Sequence, residues 1–253
     1  MRTAATTRID APLKVCAAGV VVLMLALPAT VLAEQKRLAS AGLAGAAAHA
    51  SQVAFAPSEM SGEARQVAAW AMYTGDTKGM PFLILDKVNA TIHVFGVHGR
   101  LLGSSPVLLG SAIGDESVYG IGDRDLADIK PAERTTPAGR FVTTPGRNSH
   151  GEDIVWVDYD AAVSMHRVRA SVKAERRLER LASPTPDDNR ISFGCINMPP
   201  NFYNTVVRPL LGNARGIVYI LPETRAASAQ FGSFDVPASP AVAAAVPAAA
   251  QAR

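Results

Sequence analysis

Phe82-Leu83-Ile84-Leu85-Asp86-Lys87-Val88-Asn89-Ala90-Thr91-Ile92-His93-Val94-Phe95 holds two short runs on either side of a turn at Asn89. The first is continuously apolar up to its aspartate and the second is β-branched and aromatic, so both suit strands better than helices. Gly96-Val97-His98-Gly99 makes the next turn, and Leu101 to Leu109 reads as a third strand. A meander therefore opens the ordered part of the chain.

Downstream, Gly and Asp crowd residues 110–128 into a long loop. Arg134-Thr135-Thr136-Pro137-Ala138-Gly139-Arg140-Phe141 has the Pro and Gly of a tight turn and leads into a strand at Phe141 to Thr143. Ile154 to Tyr159 and Val163 to Val168 follow as strands, with His166 inside the second. A helix is expected from Ser171 through Leu178 and Leu181, stopped at Ser183-Pro184, and Ile217 to Leu221 closes the domain as a strand. Upstream, Ser61 caps a helix through Val67, Trp70 and Ala71 that ends at Gly75. The fold class expected is mainly β, over residues 80–223, with one or two attached helices.

The ends differ from this middle. Residues 1–33 have the parts of a signal peptide: basic Arg2, Arg8 and Lys14, an apolar run from Val15 to Leu27, then Pro28 and a cleavage point after Ala33. The apolar run is shorter than the ~20 residues of a spanning helix, and Pro28 interrupts it. Residues 34–79 form an Ala-rich N-terminal segment with its helix, and residues 224–253 read as a disordered Ala/Pro-rich tail. Export to the periplasm or cell envelope is the expectation, with the membrane involved only through the export signal. Cleavage removes Cys16, three positive charges and Asp10, so the net charge falls from +3 to about +1. Such a chain has no electrostatic claim on nucleic acid. Oligomeric state is not legible.

After cleavage one thiol remains, in Arg190-Ile191-Ser192-Phe193-Gly194-Cys195-Ile196-Asn197. A lone cysteine in an exported protein has no disulfide partner. Between Phe193 and Ile196 it reads either as a small buried hydrophobe or as a nucleophile. The second reading needs a base and donors for an oxyanion. His166 is the candidate base, with His150 as its rival, while His49, His93 and His98 sit in less suitable contexts. The amides of Phe193, Gly194 and Cys195 are the candidate oxyanion donors. The five histidines show no zinc spacing, so no metal and no cofactor is expected.

Ser192, Gly194, Cys195, Ile196 and Asn197, with His166 upstream, resemble the signature of the L,D-transpeptidase (YkuD-like) catalytic domain family. Arg134 to Phe141 is similar to that family's Thr-Pro-x-Gly-x-Phe turn, and Leu83 to Leu109 to its opening strands. The resemblance covers residues 80–223. It implies a β-sandwich and an enzyme acting on peptidoglycan stem peptides, in which the cysteine takes the acyl group of a tetrapeptide stem as a thioester and an amine resolves it. It implies Cys195 as nucleophile, His166 as base then acid, and a backbone carbonyl orienting the histidine. An L,D-carboxypeptidase or amide hydrolase would use the same thioester with water, and a wall-binding module would keep the fold without the activity.

Two features depart from the family pattern. Phe193 stands where histidine is usual, and the span from His166 to Ser192 is long. The charged run at Lys173, Glu175, Arg176, Arg177, Glu179 and Arg180 reads as a solvated helix face or as a wall for substrate. On the substrate side, Arg190 either meets a stem-peptide carboxylate or braces the loop, and Ser192 and Asn197 flank the cysteine turn as its organisers.

Overall fold

The computed structural model describes residues 60–236. The signal segment, Cys16, His49, the Ala-rich stretch before residue 60 and the tail beyond residue 236 lie outside the described residues.

Strands β1 (Phe82–Asp86) and β2 (Thr91–Phe95) form the expected hairpin, and β3 (Leu101–Pro106) continues the meander. The single strand expected from Leu101 to Leu109 is instead two. It breaks after Pro106, which lacks a ladder donor, and resumes as β4 (Leu109–Gly110) in a different sheet. Next come β5 (Gly139–Val142), β6 (Thr144–Arg147), β7 (Asp153–Asp158) and β8 (Val163–Arg167). The last three are β9 (Arg190–Ser192), β10 (Ile196–Met198) and β11 (Ile217–Ile220).

Among the described residues three sheets result, with orders β3-β2-β1-β11-β5, β10-β8-β7-β6 and β4-β9. The main core lies between the first two: Leu83, Leu85, Ile92 and Val94 from one meet Val155, Val157, Met165 and Ile196 from the other. Phe82, Ile84 and Tyr219 point to the opposite face of the five-stranded sheet. There they pack beneath α1 (Gly62–Thr74), whose Ala64, Val67, Ala68 and Ala71 are buried. Burial on both faces is why the β1 sequence is continuously apolar instead of alternating. Ser61 caps α1 by accepting from the amide of Ala64, and Gly75 ends it at φ 69°.

The domain boundary expected at Glu223 is too early. Residues 224–236 are folded onto α1, with a short helix α4 (Ala227–Phe231). The Ala227 amide donates to Glu63, and Phe231 and Phe234 set their rings edge-on to Tyr219 and Tyr73. Two aromatic anchors within an otherwise small-residue segment hold it down.

The helix expected from Ser171 to Leu181 is also interrupted. A 3-10 turn at Lys173–Glu175 and helix α2 (Arg177–Ala182) are separated by Arg176, which is left-handed at φ 50°. Finally, α3 runs from Pro200–Phe202 through a π-helical stretch, Tyr203–Val207, to Arg208–Leu211. It closes the core with Phe202, Tyr203 and Val207.

Candidate active site

Period-two alternation assembles the site. Strands β8 and β10 are parallel, with Met165 opposite Ile196 and His166 opposite Asn197. Met165 and Ile196 enter the core, so Ser164, His166, Cys195 and Asn197 share the other face. The sulfur of the half-buried Cys195 lies 3.6 Å from Ser164 Oγ and 3.5 Å from the carbonyl oxygen of Ala162. Ala162 is itself left-handed, at φ 53°, in the turn between β7 and β8.

His166 Nδ1 is 2.8 Å from the carbonyl of Arg167 and, facing an acceptor, carries the proton there. Nε2 is then the basic atom, turned toward Cys195 and Asn197. Burial pushes His166 down, but its interaction with Cys195 and its bond to Arg167 outweigh this and hold it above the ordinary value, against the charge of Arg177. Burial likewise pushes the Cys195 thiol up, and His166, then Ser164, bring it below the ordinary value. A thiol lowered and an imidazole raised by one another form a pair that can exchange a proton and hold it for return.

The turn carrying Cys195 is fixed from several sides. Gly194 sits at φ 132°, and a Cβ there would come within 2.7 Å of the Thr135 carbonyl oxygen, so only glycine fits. Thr136 Oγ1 donates to the Gly194 carbonyl at 2.9 Å and accepts from the amide of Gly110. Ser192 Oγ donates to the Cys195 carbonyl at 2.7 Å and accepts from the Gly194 amide at 3.1 Å. This last bond engages within the turn the Gly194 amide, one of the three expected oxyanion donors.

Of the two roles weighed for Arg190 the bracing one is seen, and Ser192 and Asn197 organise the cysteine turn; none of the three is shown against a substrate. Arg190 ion-pairs with Glu223 and donates to the Lys87 carbonyl at 3.0 Å. Fully buried Lys87 meets Asp115 at 2.8 Å and Glu223 at 3.3 Å, and also donates to the Thr136 carbonyl. Asn197 is 1% exposed, and its Nδ2 donates to the Cys195 carbonyl at 3.1 Å. Phe193 lies under Arg134, whose guanidinium carbon is 4.0 Å from the ring centroid. That guanidinium also donates to the carbonyl of Ile129. The phenyl ring is a platform for that cation.

Among the described residues, His93 and His150 stand apart from the site. His93 is buried against Ser104 Oγ and pushed down by burial to about 4. His150 is exposed beside Arg169. A cleft of about 460 Å³, lined by Ser117, Tyr119, Asp123, Tyr159 and Ala161 among others, adjoins Ala162. Tyr159 sits edge-on to Trp156 at 5.0 Å and is 75% exposed, so it is available to a ligand as well as to packing.

Sequence reasoning brought forward Cys195 and His166; it placed Arg134 and Thr136 only in a turn and Arg177 only on a solvated helix face or substrate wall, and gave Ser164 no role. Ser164 was accessible from strand alternation, two residues before His166. The other three reach the site through long-range packing that leaves no local signal. Compared with known proteins, the chain matches no family model and no curated protein.

Proposed function

We propose that the protein is an exported, cysteine-dependent acyltransferase of the L,D-transpeptidase (YkuD-like) kind, with its sheets arranged as that family's β-sandwich, acting on peptidoglycan tetrapeptide stems. The observation that carries this reading is the placing of Ser164, His166, Cys195 and Asn197 on one face of the parallel β8 and β10, with His166 Nδ1 held by a backbone carbonyl. In the mechanism, His166 Nε2 takes the thiol proton as sulfur attacks the stem carbonyl. The resulting oxyanion is received by the amides of Phe193 and Cys195. Collapse breaks the C–N bond to the terminal D-alanine, His166 returns the proton to that leaving amine, and the acyl group stays on sulfur. An acceptor amine then attacks the thioester, giving its proton to His166 and restoring the thiol.

Purified protein incubated with tetrapeptide-bearing muropeptides tests the reading, with products followed by mass. A cross-linked dimer supports transfer, and a trimmed stem alone supports the hydrolase reading. Binding without product supports a wall-binding module. Turnover that survives Cys195→Ala contradicts the mechanism.

A further inference from the structure

We propose that Arg177 is a positioning residue for the Cys195–His166 pair, acting through the carboxamide of Asn197; this rests on the cysteine-enzyme reading given above.

The argument begins with hydrogen-bond valence. A guanidinium only donates, so Arg177 Nη1, 2.9 Å from Asn197 Oδ1, compels the amide oxygen to face it. The amide nitrogen must then face the other way. There Nδ2 donates to the Cys195 carbonyl and lies 3.5 Å from His166 Nε2. The residue opposite His166 in the ladder thus presents N–H groups, and not its carbonyl, to the basic nitrogen. A reversed amide would offer Oδ1 to a protonated Nε2, stabilise the imidazolium and raise its pKa, leaving less neutral imidazole to take the thiol proton.

The backbone shows that this arrangement is built. An uninterrupted helix would put Arg176 and Arg177 together on a solvated face. Instead Arg176 takes a left-handed conformation that a non-glycine residue adopts only at a cost. Beyond the break the two arginines part. Arg176 remains exposed and pairs with Glu179, whereas the Arg177 side chain is 15% exposed and lies against Glu175 and Asn197.

Other charged groups neighbour Arg177 and His166. Glu175 pairs with Arg177 at 2.5 Å and moderates its charge. On β8, Arg167 is held by Asp153 and Asn204, and the Cys195 sulfur completes the set. Arg177 therefore acts in two separable ways, by orienting the amide and by its own charge.

The test follows the His166 Hε1 resonance through a pH titration of the purified protein, assigned by its loss in His166→Gln. Far-UV circular dichroism checks that each variant is folded. Arg177→Met removes both actions and is expected to raise the midpoint by about one pH unit. Arg177→Gln loses the charge but keeps an N–H donor for Asn197 Oδ1, and is expected to raise it by less than half as much. Arg177→Ala takes the place of Arg177→Met if that variant does not fold. An unchanged midpoint in Arg177→Met, or equal shifts in Met and Gln, overturns the proposal. Because no substrate enters the titration, a missing muropeptide product would count against the proposed function and leave this result intact.

Discussion

His166 Nδ1 donates to the carbonyl of Arg167, the next residue in the chain, at 2.8 Å. The bond selects one tautomer, so the nitrogen facing Cys195 is the basic one. Because the acceptor is main-chain, no second side chain has to be charged for the imidazole to be held, and the orientation is set by β8 itself.

The first expectation concerns thiol reactivity. With Cys195 below and His166 above their ordinary values, thiolate is present at pH values where an isolated thiol is protonated. Iodoacetamide should alkylate Cys195 readily at neutral pH, and His166→Ala should slow this about tenfold or more. Above the ordinary thiol range near ~8.5 the two proteins should converge. Equal rates at neutral pH would show that the imidazole does not activate the sulfur.

Gly194→Ala tests the fixed turn. A methyl group would meet the Thr135 carbonyl oxygen at 2.7 Å on a backbone at φ 132°. The expected loss is about 1–3 kcal/mol of stability in urea denaturation. Alkylation of Cys195 should lose its neutral-pH advantage along with it. A variant as stable and as reactive as the parent would mean the loop has room to move.

Lys87→Met tests the buried ion network beneath the site. It would leave Asp115 without its cation and Glu223 with Arg190 alone, costing about 3–5 kcal/mol. Burial acts to raise the Asp115 carboxyl, but Lys87, Thr224 and the amides of Glu223 and Thr224 hold it far below the usual carboxylate range. A depressed folded value adds stability above the unfolded value near ~4 and loses it as pH falls toward the folded one. Urea midpoints of the parent should decline through that acid window, and those of Lys87→Met should start lower and decline less. Parallel curves would remove the network from the account.

Phe193→Leu removes the ring beneath Arg134 while keeping an apolar side chain. The expected cost is about 0.5–2 kcal/mol, with neutral-pH alkylation retained because His166 and Ser164, not the ring, bring the Cys195 thiol down. Loss of alkylation without loss of stability would instead give the ring a role beside the sulfur.

What the sequence revealed depended on length and period. β1, β2, β7, β8 and β11 are runs of apolar or β-branched residues, and α1 carries both of its caps, so all six were legible. β9 and β10 span three residues each, too few for a period, although they frame Cys195. α3 went unread because Pro199 and Pro200 suggest a loop, yet Pro200 occupies a first-turn position where its missing amide hydrogen costs nothing. Cys195 and His166 stood out by residue type. Asn197 was visible beside them, but its orientation comes from Arg177, which depends on a left-handed Arg176 that no local pattern announces.

The central claim is that Cys195 carries the acyl group. Intact-protein mass after rapid acid quench of the protein with a tetrapeptide stem tests it most directly. The account predicts a hydroxylamine-sensitive increment equal to the stem less its terminal D-alanine, present in the parent and absent in Cys195→Ala. Release of D-alanine with no such adduct at any quench time, or an adduct that persists in Cys195→Ala, would contradict it.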